Sequence, residues 1–160
     1  MGWFLKFRRR QESAALEPEG IRGFNMAAVY VLGKLYASFP APCDFDVLRE
    51  QIGMAVDAVA SSESGRPGDV LAAKYLPDTL RWLTAEGYIR VSQALGGDYF
   101  HVDLTERAMK VLGQVPAAIR GQPQKKPLGE LMRETAVEKG IACPMELASD
   151  LVKFLLSASS

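Results

Sequence analysis

Apolar residues recur every three or four positions between residues 25 and 39, which is the spacing of one buried face of an α-helix. We expect Asn25 to cap the first turn of this helix. The run Pro40-Ala41-Pro42 should end it, because proline cannot continue the hydrogen-bond ladder. A second helix is predicted to begin near Asp44 as its cap, and to end at Gly53 or continue past it. The buried face of the first helix comprises Met26, Val29, Leu32, Tyr36 and Phe39.

A third helical region begins at Asp69 and ends at Gly87, since glycine readily adopts the left-handed conformation that closes a helix. Pro77 lies inside this region. Either the helix kinks at Pro77, or one helix ends near Leu76 and another begins with Pro77 in its first turn; we favour the second interpretation. The residues predicted to face inward are Leu76, Leu80 and Leu83, with Trp82 at the border.

The apolar period then changes to two, which indicates half-buried strands over residues 88–92 and 99–103. Gly96-Gly97-Asp98 between them is typical of a hairpin turn. In the second strand, Phe100, Val102 and Leu104 are expected to face inward. A fourth helix should begin after Thr105, whose side chain can cap it, and end near Leu112.

Glycine and proline become frequent after residue 113, and this composition predicts a linker over residues 114–127. Two further helices are expected over residues 128–139 and 144–157. The last one is apolar on most sides, so we expect it to be buried against its own domain or against a second copy of the chain. The predicted organisation is an arm (1–22), a main domain (23–113), the linker, and a C-terminal helical hairpin (128–160) that self-associates. The residues expected to mediate this self-association are Leu147, Leu151, Phe154 and Leu155.

The charge of the 160-residue chain sums to zero, and 48% of its residues are hydrophobic, which is enough for a globular core. Residues 21–115 contain nine Lys/Arg and eleven Asp/Glu, so a phosphate contact there would need local clustering of cations. Cys43 and Cys143 fit unpaired thiols in a reducing compartment. Because no apolar run approaches the ~20 residues of a membrane span, we expect a cytoplasmic protein.

The sequence offers little for an enzyme. His101 is the single histidine, and it has no nucleophile at a motif spacing. There is no glycine-rich phosphate loop and no cluster of metal-ligating residues, and capping or turn roles account for the paired aspartates. We therefore expect no catalytic residues, no cofactor and no metal.

Two segments carry a resemblance to a known superfamily: residues 80–89 (LRWLTAEGYI) and residues 104–112 (LTERAMKVL). Both resemble the winged helix-turn-helix superfamily, in particular bacterial regulators of the MarR and PadR type. The resemblance covers about 90 residues, from Asn25 to Leu112. It implies a mainly α fold with a small two-stranded antiparallel β wing, to which the C-terminal helical hairpin is added.

The resemblance also implies a DNA-binding transcriptional regulator acting as a homodimer, in which the helix ending at Gly87 enters the major groove of double-stranded DNA. The alternative is a protein-interaction or scaffold module, because the same fold serves for protein docking. The alternative for Arg81 is a solvated ion pair with Asp78 or Glu86, and for Arg90 a cross-strand pair with Asp103 or a neighbour. The N-terminal arm is a frayed terminus, a docking peptide or a phosphate-binding arm. The residues expected to contact DNA are Lys74, Arg81, Arg90, Gln93, Tyr99 and His101, with Arg8, Arg9 and Arg10 of the arm.

Overall fold

The computed structural model describes residues 17–60, 67–138 and 145–159. The described chain is mainly helical, with two small antiparallel sheets. Its elements are α1 (Glu19–Ser38), β1 (Cys43–Asp46), α2 (Val47–Ala60), α3 (Pro67–Ala85), β2 (Ile89–Leu95), β3 (Asp98–Leu104), α4 (Glu106–Leu112), β4 (Ala118–Ile119), β5 (Gln122–Pro123), α5 (Leu128–Arg133), a π-helix that continues α5 (Glu134–Glu138), and α6 (Met145–Ala158).

Helix α1 lies at the centre, in contact with α3, α5 and α6. It begins at Glu19, so the prediction that Asn25 caps it is wrong, and Asn25 is buried inside the helix. The added part of the helix contains Gly20 and Gly23, and glycine weakens a helix interior. Tertiary packing outweighs that cost: the Tyr75 ring of α3 lies so close to Gly23 that a Cβ there would be 2.2 Å from it.

Strand β1 occupies the segment where a second helix was predicted to begin. Phe45 on this strand is fully buried, and β1 pairs antiparallel with β3. The sheet therefore has three strands in the order β1-β3-β2, where a two-stranded wing was predicted. Asp44 does not cap α2: its carboxylate accepts the His101 backbone N–H at 2.8 Å, and Asp46 accepts the N–H of Arg49 at 3.1 Å.

Helix α3 passes through Pro77 without ending, so the preferred interpretation of two helices is wrong. Proline has no N–H to donate to the carbonyl of Ala73, four residues earlier. That carbonyl instead accepts the side-chain Nε2 of Gln51, on α2, at 2.8 Å. The helix can therefore continue, and its inward face of Leu76, Leu80 and Leu83 is fully buried.

Several local predictions are confirmed. Gly87 has φ +78, and the Tyr88 N–H bonds the Leu83 carbonyl at 2.9 Å, which closes α3. Thr105 caps α4 by accepting the Ala108 N–H at 3.2 Å. The turn between β2 and β3 places both of its glycines, Gly96 and Gly97, at positive φ. The strands themselves are longer than predicted, over residues 89–95 and 98–104.

A bulge in β3 changes which of its side chains face the core, so the predicted alternation is not followed throughout the strand. Cys43 pairs with Val102 and Phe45 pairs with Tyr99, so between these two pairs β3 contains one residue more than β1. His101 has φ +49 at this position. Tyr99, expected to face outward, is instead half-buried and packs against the hydrophobic core.

The C-terminal helices pack directly on α1. A Cβ on Gly33 of α1 would be 2.4 Å from the Met132 carbonyl oxygen, and a Cβ on Gly129 of α5 would be 2.4 Å from the Tyr36 ring. The segment predicted as a linker contains the β4–β5 hairpin, whose Ile119 is buried. In the described ranges, no helix combines the length and apolar character needed to cross a membrane.

Candidate functional site

The outer side of α3 and the adjoining β2–β3 hairpin form the surface on which the predicted DNA contacts lie. We call this region the α3 surface. Its cations are Lys74, Arg81 and Arg90, and all three are solvent-exposed as predicted. Exposure alone does not show that these cations contact DNA. The positive charge available to a phosphate also depends on the carboxylates with which they pair.

Lys74 forms an ion pair with Glu19 at the start of α1. Its Nζ lies 2.9 Å from Glu19 Oε2, and the Tyr75 hydroxyl donates to the same oxygen at 2.7 Å. The hydrogen bond from Tyr75, followed by that from Lys74, lowers the pKa of Glu19 below its usual value. In return, the contacts with Glu19 raise the pKa of Lys74 and of Tyr75. The contacts among the three groups therefore stabilise the ionised form of Glu19 and the protonated form of Lys74.

Arg81 and Arg90 each form an ion pair with an aspartate, which is the alternative to DNA contact that the sequence left open. Arg81 Nη2 lies 2.5 Å from Asp78 Oδ1, one turn earlier on α3. Arg90 Nε lies 3.2 Å from Asp103 Oδ1, on the neighbouring strand. Each described cation between residues 67 and 104 thus has a carboxylate partner.

The net charge of the segment that contains α3, β2 and β3 is negative. Residues 67–104 contain three Lys/Arg and five Asp/Glu, with His101 neutral at pH 7. Exposed ion pairs are worth roughly 0–1 kcal/mol, so a phosphate could displace one carboxylate from an arginine. The displaced carboxylates would nevertheless stay nearby and repel the phosphate backbone, which makes this surface a poor polyanion site.

The other hairpin residues predicted to contact DNA differ in how exposed they are. Gln93 is exposed on β2, and His101 is exposed on β3 with its backbone fixed by Asp44. Tyr99 is half-buried against the core, so its ring packs within the fold. Arg8, Arg9 and Arg10 lie outside the described residues.

An apolar groove on the α3 surface was not predicted from the sequence. It has a volume of about 550 Å³ and lies between the start of α1 and the outer side of α3. Phe24 and Trp82 meet edge to face across it, with ring centroids 5.0 Å apart. Trp82 also stacks on Tyr88 at 6.0 Å and stays 37% exposed. The lining residues are Gly20, Phe24, Tyr75, Asp78, Thr79, Arg81, Trp82 and Ala85.

A sequence signal for this groove existed in part. Gly20 and Phe24 are four residues apart, and so share a face once α1 is known to begin at Glu19. Tyr75, Thr79 and Trp82 follow the same rule on α3. The assumption that α1 begins at Asn25 removed the first half of the pattern.

The residues expected to mediate self-association lie largely inside their own chain. Leu151 and Leu155 are fully buried, and α6 packs on α1. Leu147 and Phe154 are half-buried and pack against the same core. The apolar character of α6 is therefore explained by its own fold, without a second copy.

No group of three or more His, Cys, Asp or Glu side chains in the described part of the chain is arranged to hold a metal ion. Comparison of the chain with protein-family models, with curated proteins and with solved structures found no match. The α3 surface must therefore be interpreted from its own geometry and charge.

Proposed function

We propose that this chain is a winged-helix protein that uses its α3 surface to dock another protein. The winged-helix assignment is supported by the order helix, strand, helix, helix, hairpin, and by the sheet order β1-β3-β2. In this arrangement α3 is the helix directly before the wing, which is the position of a recognition helix.

Protein docking is supported by one observation above all. Where a DNA-binding surface would present unpaired cations, the α3 surface presents the half-exposed indole of Trp82 over an apolar groove. Exposed aromatic side chains in a groove, rimmed by polar groups, are typical of the centre of a protein interface. The rim here consists of the Arg81–Asp78 pair, whose residues line the groove, and of the Lys74–Glu19 pair, which is joined to the lining by the Tyr75 hydroxyl.

This geometry fits a partner segment that places one apolar side chain against Phe24 and Trp82. Polar groups beside that side chain would face the two ion pairs on the rim. Because each pair offers one cation and one carboxylate, a partner carrying charges of both signs suits it better than a uniformly charged polymer.

Capture from a lysate of the native host, with immobilised full-length protein, tests the docking function. Ala85→Arg places a long charged side chain at the groove from an exposed position, and so should block the partner without disturbing the core. Leu48→Ala is the matched control, since Leu48 is 67% exposed on α2, away from the groove lining. We expect a protein retained by the wild type and by Leu48→Ala to be lost with Ala85→Arg. Equal retention by all three proteins would contradict the proposal.

DNA binding as a homodimeric regulator is the second candidate, and the position of α3 before the hairpin favours it. Fluorescence anisotropy with a mixed-sequence duplex at about 50 mM salt distinguishes the two functions. Micromolar affinity that falls steeply with salt, and that Arg81→Ala and Arg90→Ala both reduce, would replace the docking proposal. Affinity weaker than about millimolar would exclude the regulator.

A further inference from the structure

Strand β2 is an edge of the three-stranded sheet. β3 lies in the middle and pairs with both β1 and β2, whereas β2 pairs with β3 alone among the described strands. One side of β2 therefore has backbone N–H and C=O groups that the sheet does not use. Such an edge can pair with another strand unless the protein protects it.

The register shows which residues of β2 carry these unused groups. Leu95 and Asp98 flank the two-residue Gly96–Gly97 turn, so they form the hydrogen-bonded pair that closes the hairpin. Hydrogen-bonded and non-bonded pairs alternate along an antiparallel ladder. The remaining bonded pairs on β2 are therefore formed by Gln93, Val91 and Ile89. The residues whose N–H and C=O groups point away from β3 are Arg90, Ser92 and Ala94.

These three residues are exposed, and β2 lacks the usual protection of an edge strand. It contains no proline and no lysine, and it keeps a single register with β3 on both sides of Ser92, from Ile89 to Leu95. Its one charged side chain, Arg90, contacts Asp103 on β3 and is thereby held over the sheet, away from the free edge. At the far end, Leu95 is 58% exposed although it is apolar.

We propose that a second copy of this chain pairs with β2 through its own β2, antiparallel about a two-fold axis at Ser92. The two sheets would then form one continuous six-stranded sheet. Arg90, Ser92 and Ala94 of each copy would exchange the hydrogen bonds that the isolated sheet leaves unused. This inference does not rest on the docking function of the α3 surface.

The side chains of β2 are compatible with this self-pairing. At the axis, Ser92 faces Ser92 of the partner subunit. Its hydroxyl donates to the His101 carbonyl at 3.4 Å, a long bond, and one of the two hydroxyls can instead donate to the other. Arg90 faces Ala94 of the partner subunit, so no like charges oppose and the small residue leaves room for the large one. On the other side of the sheet, Leu95 lies opposite Ile89 of the partner subunit. Because Ile89 is only 2% exposed, this contact covers the 58% exposed leucine only in part, and no charge opposes it.

Proline substitution at Ser92 tests the pairing. Ser92→Pro removes an N–H that points away from β3, so it blocks the edge without breaking the hairpin ladder. Ser92→Thr is the control, since it keeps the N–H and suits a strand. In sedimentation of the full-length chain, we expect a concentration-dependent dimer for the wild type and for Ser92→Thr. Ser92→Pro should raise the dimer dissociation constant about tenfold or more, because a symmetric interface loses the bond twice.

Hydrogen exchange at single amides separates loss of pairing from loss of folding. In the wild type, protection of the Ser92 and Ala94 amides should rise with protein concentration, while that of Val91 and Gln93 should stay constant. In Ser92→Pro, retained protection at Val91 and Gln93 would show that the hairpin is intact. A wild type that stays monomeric at about 0.5 mM, or a dimer that Ser92→Pro leaves unchanged with the hairpin intact, would overturn the proposal. Protection of these edge amides by a different protein, with the chain itself monomeric, would also overturn it.

Discussion

Helix α6 and the α3 surface are the two regions that the sequence marks for binding, and the fold treats them in opposite ways. α6 is the more apolar of the two, yet Leu151 and Leu155 are fully buried inside their own chain. α3 is more polar, yet it leaves Trp82 37% exposed over an open groove. Apolar content alone therefore does not identify a binding surface; what matters is whether another element already covers it.

The central helix α1 explains the difference. Its buried positions include Ala27, Ala28, Val31 and Leu32, all fully buried, so they cannot belong to a single narrow stripe. A helix that is apolar on most sides needs cover on more than one side. α3 provides part of that cover, and α5 and α6 provide the rest. The apolar face of α6 is covered by this packing on α1, whereas no described element covers the outer side of α3.

Truncating the core of α6 should have the largest effect. Leu151→Ala leaves a cavity at a fully buried site, and we expect it to lower the free energy of unfolding by about 2–5 kcal/mol. Urea unfolding followed by circular dichroism measures this change. Leu156→Ala on the same helix is the control, because Leu156 is 41% exposed, and it should change stability by less than about 0.5 kcal/mol. If Leu151→Ala altered only the oligomeric state, α6 would be an association surface after all.

Gly33 tests how firmly the C-terminal helices are fixed to α1. A Cβ there would lie 2.4 Å from the Met132 carbonyl oxygen and 2.8 Å from the Ala136 Cβ. Since backbone cannot move aside as a flexible side chain can, we expect Gly33→Ala to cost about 1–3 kcal/mol. Gly53→Ala is the opposite case: Gly53 is an exposed position of α2 with open space around it, so the substitution should stabilise by about 0.5–1 kcal/mol. Thermal unfolding of both variants measures the contrast, and equal shifts would contradict this packing.

The features that the sequence predicted well depend on nearby residues. Gly87 closes α3, Thr105 caps α4, and the two glycines at 96 and 97 turn the hairpin. Each of these conformations is decided within about five residues, by a glycine at positive φ or by a side chain that bonds a nearby N–H. The inward face of α3 was also predicted, because helical spacing is a local property.

The features that were missed depend on contacts distant in sequence. Pro77 could stay inside α3 because Gln51, on another helix, bonds the carbonyl that proline leaves free. β1 forms because β3 pairs with it, and α1 extends to Glu19 because Tyr75 packs on Gly23. The groove on the α3 surface requires two helices to meet. Propensity and periodicity carry no information about such pairings, so the candidate site was the least predictable part.

The pH dependence of stability should reveal the Glu19 contacts at the edge of the α3 surface. Hydrogen bonds from Tyr75 and Lys74 lower the pKa of Glu19 from 4.5, so their contribution is present above that pH and is lost as the pH falls through the folded-state pKa. The pKa of Lys74 is raised from 10.5, so its contribution is fully present below that pH and is lost as the pH rises through the folded-state pKa.

Melting temperatures of the wild type and Glu19→Gln should therefore differ by a constant amount between about pH 5 and pH 10, and the difference should narrow below about pH 4. Tyr75→Phe is the matched control. It keeps the ring over Gly23 and removes only the hydroxyl donor, so the pKa of Glu19 is lowered less. In the Tyr75→Phe background, the difference that Glu19→Gln makes should be smaller, and its narrowing should be complete at a higher pH. A difference between wild type and Glu19→Gln that persists unchanged at pH 3 would show that Glu19 acts through packing.

The smallest effect on stability, and the sharpest test of the comparison, comes from the carboxylates of the α3 surface. Asp78→Asn with Asp103→Asn leaves Arg81 and Arg90 without their charged partners, and reduces the acidic residues between 67 and 104 from five to three, equal to the cations. Exposed pairs contribute at most about 1 kcal/mol each, so the fold should be nearly unchanged. If charge balance is what excludes DNA, the double variant should bind a duplex with an affinity that falls steeply with salt, while the wild type does not. If neither protein binds, the shape of the groove excludes DNA independently of charge, and if both bind equally, the carboxylates do not control this surface.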